Sequence, residues 1–509
     1  MVRIVSVLLS SIASLTVVSA ARASDLPVKA KGVEYVKVCS LYGAGFYYVP
    51  GTDTCIKIGG AIRLDLSINS NGYEVPYWSG GAGGQDLWTK DYFATRERVN
   101  ATTDTRTATE WGVLRTYANM QFDFFQNRES IAGGVVEVDY AFIQFAGFTF
   151  GKAVSQFDPQ WALSKPIISS GVQAGSNNLS GIPQLAYTAS FENGISTTFG
   201  FENASPYRNA GLYNTNTYIV GPASSSFTGT FYGSNSNTFL GNAAAGDHIP
   251  DVVANVRVDR AWGTLHVAAA MHSANPNFYG STETSGHPDA SYGFAFNGAA
   301  EFKNLPTGNG DTLKISATYA EGAAKYVWGG TIDTIGAGRY AKFDGNSLAF
   351  GYVLDGVFNN GGQIQKSKSW EVSAFYEHYW NTAWRTSLFG SYTAISYGAA
   401  GNALLAAAFG GTSAGFGTSS TALPAGTSAG FLVPGTTGSF DFAVAQVGTR
   451  TAWTPVRNLT LSASVMFSRL DQNLTGAYTQ TAGAAKANGT YVLRDQNLFN
   501  GTMQILRSF

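Results

Sequence analysis

Residues 56–68 read IKIGGAIRLDLSI, and this run restricts the fold more than any other feature of the chain. Its even positions are Ile56, Ile58, Gly60, Ile62, Leu64, Leu66 and Ile68, and its odd positions are Lys57, Gly59, Ala61, Arg63, Asp65 and Ser67. A period of two means a strand with one oily and one wet face, because successive side chains of a strand point opposite ways. The run alone does not tell whether the oil meets a protein core or lipid.

The alternation recurs. Leu313, Ile315, Ala317 and Tyr319 interleave with Thr312, Lys314, Ser316 and Thr318; Leu459, Leu461, Ala463, Val465 and Phe467 interleave with Thr460, Ser462, Ser464, Met466 and Ser468. Each block is about ten residues, the length of a tilted membrane strand. After the N-terminal leader no segment has 18 consecutive apolar residues, which leaves a closed barrel as the one way for this chain to cross a membrane with every backbone N–H and C=O paired. Charged residues at 13%, aromatics at 14%, and 60 Gly against 15 Pro suit strands and turns better than helices.

Sixteen strands are expected, at 56–68, 91–106, 111–125, 134–145, 147–152, 184–191, 195–203, 250–259, 263–273, 290–303, 311–322, 369–380, 384–397, 439–453, 458–470 and 495–509. The gaps between them alternate between very short and long, the long ones including 153–183, 204–249, 323–368 and 398–438. Tight turns on one side and extended loops on the other are how a bacterial outer-membrane barrel is strung. A seventeenth stretch, 347–355, would put the termini on opposite sides, and it is assigned to the long link 323–368. The expected fold is therefore an all-β, 16-stranded antiparallel transmembrane β-barrel spanning 56–509, with short periplasmic turns and long external loops. Trp111, Trp262, Trp380, Trp384 and Trp453 fall at or beside the short turns, where an interfacial aromatic girdle belongs. The segment 398–438, rich in Gly, Ala, Ser and Thr, reads as a flexible external loop or one folded back over the mouth.

The first 23 residues read as a signal peptide: Arg3, an apolar stretch from Ile4 to Ala20, and Ala21-Arg22-Ala23 as the cleavage pattern. An exported chain with two cysteines, Cys39 and Cys55, is expected to bridge them within a periplasmic-side segment 24–55, free or metal-bound thiols being the alternative. The formal net charge of -1 gives no reason to expect nucleic acid. Neither G-x-S-x-G, a Walker loop nor H-E-x-x-H occurs, and no catalytic residue, cofactor or metal site is expected. His266 and His272 share the lumen parity of their strand.

The stretch DLPVKAKGVEYVKVCSLYGAGFYYVPGTDTCIKIGG (25–60) resembles the N-terminal signature of the alpha-proteobacterial general-diffusion porins, and AFIQFAGFTFGKAVSQFD (141–158) resembles their strand leading into a constriction loop. The ending FNGTMQILRSF, with Phe509 last, resembles the signal read by the outer-membrane barrel-insertion machinery; Arg507 stands where that signal is often aromatic. The resemblance implies an outer-membrane protein, commonly trimeric, that sits in lipid and passes small hydrophilic solutes and ions passively. It also implies that a loop near 153–183 folds inward to narrow the lumen. On that view Asp158 faces basic residues of the wall, and Arg63, Arg96, Arg98, Arg115 and Lys152 supply them, creating a transverse field. Anion or cation preference stays open. Two rival readings are a barrel-borne enzyme of phospholipase type and a plugged structural or adhesive barrel.

Overall fold

The computed structural model describes residues 37–70, 92–125, 135–168, 171–176, 180–203, 210–216, 243–280, 282–329, 339–408, 411–412, 415–416, 430–480 and 488–509. The expected signal peptide lies outside these residues. Contacts divide the chain into Met1–Val38 and Cys39–Phe509, and the second unit holds the barrel.

Sixteen long strands form it: β1 (Cys55–Ile68), β2 (Phe93–Thr109), β3 (Gly112–Phe125), β4 (Val135–Phe145), β5 (Phe148–Ala153), β6 (Ile182–Ser190), β7 (Ile195–Glu202), β8 (Asp251–Arg260), β9 (Gly263–Ala274), β10 (Ser291–Lys303), β11 (Thr312–Glu321), β12 (Lys368–Tyr379), β13 (Trp384–Ser396), β14 (Thr437–Val456), β15 (Leu459–Thr475) and β16 (Gln496–Ser508). Each pairs antiparallel with its neighbours in sequence, and β16 returns to β1 with Ala61 opposite Ser508 and Ile68 opposite Gly501. Closure leaves no sheet edge in hydrocarbon. Below the end of β16 the exposed edge of β1 is covered by Tyr47–Tyr48, which pairs with Cys55 and Ile56. Cys39 and Cys55 are joined in a disulfide, as expected, and tie that segment to the foot of β1.

The barrel is inverted relative to a soluble protein. Val267, Leu388, Val447 and Met503 are each about 60% exposed on the outer face, whereas Arg96, Asp123 and Gln121 on the inner face are 3% exposed or less. The parity read from residues 56–68 is the reason: Ile62, Leu64 and Leu66 lie across from Arg507, Ile505 and Met503, while Arg63 and Asp65 turn inward with Gln504. The tryptophans of the short turns are exposed, and Trp384 and Trp453 stack at 5.6 Å across β13 and β14. Indole there keeps its ring in the apolar band while its N–H reaches water or a hydroxyl, as Trp380 does by donating to Thr386 Oγ1. Between β4 and β5 the two-residue turn Ala146-Gly147 has both φ positive, 49° and 86°, the mirror-image turn that matches strand twist.

The largest apolar core is made by external loops folded inward. Trp328, Tyr326, Phe343 and Phe157 are fully buried, and they pack against small lumen-facing residues of the wall, Ala268, Ala270, Ala295 and Ala320. Alanine at those positions leaves the space the loops fill. Loop strands Arg339–Asp344, Ser347–Tyr352, Gly489–Leu493, Ala477–Gln480 and Gly430–Leu432 join into a five-stranded sheet drawn from three separate external links. Ser347–Tyr352 is thus a loop strand and not a seventeenth wall strand. In 398–438, expected to be a flexible loop, Gly398–Ala408 forms helix α1, whose Ala and Leu content favours it; Asn402 secures it by donating to Asp441 and accepting from the Phe440 N–H.

Candidate constriction of the lumen

The strand β5 is only six residues long, and beyond Ala153 the chain turns into the barrel instead of continuing outward. The first leg of the β5–β6 loop runs along β7 to β9. Ser155 Oγ and the Gln156 N–H donate to Glu202, Asn255 donates to Gln156 O at 2.6 Å, and His266 Nε2 lies 3.1 Å from Phe157 O. The middle then reaches the opposite wall. Trp161 packs edge-on to Phe375 of β12 at 6.2 Å, Lys314 of β11 donates to Ser164 O at 3.0 Å, and Ser387 of β13 donates to Pro166 O. Arg63 of β1 donates to Ile168 O at 3.1 Å. On the return leg Gln446 of β14 accepts from the Gln173 N–H at 2.7 Å and donates to Gly171 O at 2.9 Å, and Thr393 donates to Gln173 O.

Strands β5 and β13 lie half the circumference apart, so this loop spans the full width of the lumen. Its grip on the far wall combines hydrogen bonds with an apolar patch of Trp161, Val172, Phe375, Phe389 and Met466. Buried backbone groups of the loop find partners among lumen-facing polar side chains, which is what lets irregular backbone persist at membrane depth.

The expected constriction residues separate into distinct places. Arg63, Arg96 and Arg98 sit together: Arg63 is opposite Arg98 and Asp65 opposite Arg96 in the β1–β2 register. Arg63 and Arg96 share Asp65 at 2.7 and 2.8 Å, and Arg98 makes a two-pronged pair with Asp123 at 2.6 Å. Arg115 is elsewhere. It pairs with Asp104 near the β2–β3 turn, together with Arg106, and lies over the rings of Tyr117 and Phe142. Eight residues of β2 separate Arg98 from Arg106, the register partner of Arg115, roughly 27 Å along the strand. Lys152 donates to Val138 O at the foot of the loop.

Asp158 departs from the expectation. Its carboxylate accepts from the Ser176 N–H at 3.1 Å and the Ser176 hydroxyl at 2.5 Å, stapling the outgoing leg of the loop to the returning one. Burial pushes its pKa up while the Ser176 bonds and the charges of Lys165 and Lys325 oppose that rise. The physical reason is the direction of the loop: Asp158 precedes the crossing and remains on the β8–β9 side.

The carboxylates Asp65, Asp104 and Asp123, which pair with these arginines, were not among the expected residues. Two of them had a signal: Arg63-x-Asp65 and Asp104-x-Arg106 set opposite charges two apart on the wet face of one strand. The histidines with lumen parity are both hydrogen-bonded, His266 at Phe157 O and His272 at Asp251. His272 is buried between Asp251 at 2.7 Å and Asp355 at 3.5 Å, where Lys325 and Tyr326 of the β11–β12 loop also reach Asp251. Among the described residues no group of three or more His, Cys, Asp or Glu is placed to hold a metal ion.

A closed barrel with an apolar outer band, a polar bore and an inward-folded loop defines a membrane-spanning channel-type barrel. Residues 25–502 match the model of the Porin subfamily, and the chain belongs to that family. It is 27% identical over 281 residues to porin Omp2b of Brucella canis, covering 53% of this chain and 66% of the relative, and 31% identical over 219 residues to porin Omp2a of the same species, covering 39% and 55%. The chain thus spans just under two thirds of the length of the Omp2b relatives. Among solved structures, the outer membrane channel DcaP of Acinetobacter baumannii shares the fold with a TM-score of 0.54 at 14% identity, covering 91% of this chain and 99% of that one. Family and fold place the protein in the bacterial outer membrane.

Proposed function

We propose that the protein is a passive porin: an aqueous channel through the outer membrane for small hydrophilic solutes and ions, with the β5–β6 loop setting its narrowest passage. The observation that carries this reading is the loop's crossing from β5 to β13 and β14, held there by Ser387, Thr393 and Gln446. A loop pinned across a polar bore restricts solutes by size and charge while leaving conduction passive. Membership of a porin subfamily argues for a channel over an enzyme. In this reading Arg63, Arg96 and Arg98 line the throat, Arg115 lines the periplasmic vestibule, and Phe509, whose N–H and C=O both pair with Gly60, completes the insertion signal. A homotrimer embedded in outer-membrane lipid is the assembly proposed.

The inward-folded apolar loop core favours one rival, a barrel whose mouth is plugged. Purified protein in a planar bilayer separates the two. A porin gives discrete current steps that scale linearly with voltage, and a membrane with inserted protein and no steps would establish the plug.

A further inference from the structure

The periplasmic foot of the barrel wall has a step in it. Strand β3 pairs with β2 down to Gly112 opposite Thr109, yet its ladder with β4 stops at Arg115 opposite Gln144. Gly112, Val113 and Leu114 therefore hang below β4, roughly 10 Å of strand whose β4-facing edge is open. Strand β4 has by then turned at Ala146-Gly147 into β5, with Phe145 opposite Phe148.

The corner so formed holds an outward-facing cavity of about 680 Å³, lined by Glu110, Trp111, Leu114, Ile143, Phe145 and Phe150. Its sides are apolar. Leu114, Ile143 and Phe150 are exposed on the lipid-facing surface, Ile143 directly opposite Phe150 in the register. Its lower end is polar: the Glu110 carboxylate accepts from the Trp111 indole N–H at 3.0 Å, and that indole is the one partner Glu110 has among the described residues. Trp111 itself is 70% exposed, at the level where the short-turn tryptophans mark the membrane boundary.

An apolar furrow that ends on an unneutralised carboxylate at the boundary of the hydrocarbon fits an amphiphile. A protein face laid there would have to bring a cation to Glu110 separately, whereas a lipid brings head and chain together. The head is constrained by hydrogen bonding. A primary ammonium offers three N–H donors and no acceptor, which suits a carboxylate; a trimethylated head has charge without a donor, and an anionic head is repelled.

We propose that this step binds a single glycerophospholipid of the periplasmic leaflet with a primary ammonium head group, its head on Glu110 and one acyl chain along Leu114, Ile143 and Phe150. The bound chain completes the apolar band where the stepped ladder interrupts it. The site needs only the barrel's orientation in the membrane and stands whether or not the bore conducts.

The test is native mass spectrometry of the full protein, released from detergent after incubation with dipalmitoyl phosphatidylethanolamine, or with phosphatidylcholine or phosphatidylglycerol of the same chains. One phosphatidylethanolamine should stay on each chain, held about tenfold more tightly than either of the others, the weight of one charge-assisted contact. Glu110→Gln should remove that preference, and Glu192→Gln, at the β6–β7 turn, should keep it. Leu114→Trp, which fills the furrow, should lower retention of all three lipids. Equal retention of the three by wild-type protein overturns the proposal, a comparison that stands by itself should Glu110→Gln fail to insert. A preference that survives Glu110→Gln overturns it as well. So does wild-type protein that keeps no lipid, and a disulfide formed between chains carrying Trp111→Cys would then give the step to a second copy of this chain.

Discussion

Gln446 is where the loop's hold on the far wall is most concentrated. Its side chain is buried, its Oε1 accepts from the Gln173 N–H, and its Nε2 donates to Gly171 O and to Ser468 Oγ. Gln446→Ala removes both bonds to the loop and leaves a backbone donor and a backbone acceptor stranded. At about 1 kcal/mol net for each lost bond, the return leg loses roughly 2 kcal/mol, a thirtyfold rise in its undocked population. The rest of the crossing should persist, because Ser387, Arg63 and Lys314 hold Pro166, Ile168 and Ser164 independently. Val172, 2% exposed in the docked loop, is a suitable reporter. The chain's two cysteines are already joined, so a single Val172→Cys thiol is the reactive one. Its reaction with a water-soluble thiol reagent should run about thirtyfold faster with Gln446→Ala than without it, and single-channel traces should show added brief excursions in conductance. Equal reaction rates in the two backgrounds would refute the docking role of Gln446.

The buried cluster at the β11–β12 loop is a second point of leverage. Lys325→Met removes the cation 3.5 Å from Asp251 and leaves that buried carboxylate with His272 and Tyr326 alone; breaking such a pair costs about 3–5 kcal/mol, and faster protease cleavage within 322–367 is the expected readout. At the periplasmic side, Asp311 accepts from His378 Nδ1, Thr307, the Tyr379 N–H and Tyr376. Burial works against its charge, but these bonds outweigh it and hold the carboxyl below the usual Asp value. Its stabilising effect is accordingly complete above the unfolded pKa of about 3.9 and is lost only as pH falls through the lower folded value. Asp311→Asn should abolish that acid limb, followed by emission of Trp380, whose ring meets His378 at 4.4 Å.

Much of the wall was legible because a strand's facing is a local property. Each of the sixteen expected segments coincides with a wall strand, and Ile62 and Arg63 alone told which face of β1 is wet. The inward course of the β5–β6 loop was readable only from the family resemblance of residues 141–158. Height was less accessible: Arg115 shares the parity of Arg63, Arg96 and Arg98 yet lies far from them, beside the β2–β3 turn, since parity says nothing of position along a strand until the register is known. Asp158 was misplaced for a related reason, its partner Ser176 being set by how two legs of one loop meet. Of the five-stranded loop sheet only the stretch 347–355 carried a strand signal, and its pairing carried none. The sheet joins segments from three links, such as Ser347 with Val492, and pairing between distant loops is decided by packing in the mouth. At β4 a bulge adds Asp139 between Val138 and Tyr140, and its carboxylate accepts from Asn119 and Gln121, an irregularity that strict alternation does not anticipate.

The direction in which the apolar residues face underlies all of this, and site-directed spin labels in bilayers measure it most directly. Labels replacing Val267 or Leu388 should collide with dissolved oxygen and be hidden from a water-soluble nickel relaxant, while a label replacing Gln144 should show the reverse. Should Val267 and Leu388 be reached by nickel and shielded from oxygen, the barrel described here would not be the structure of this chain.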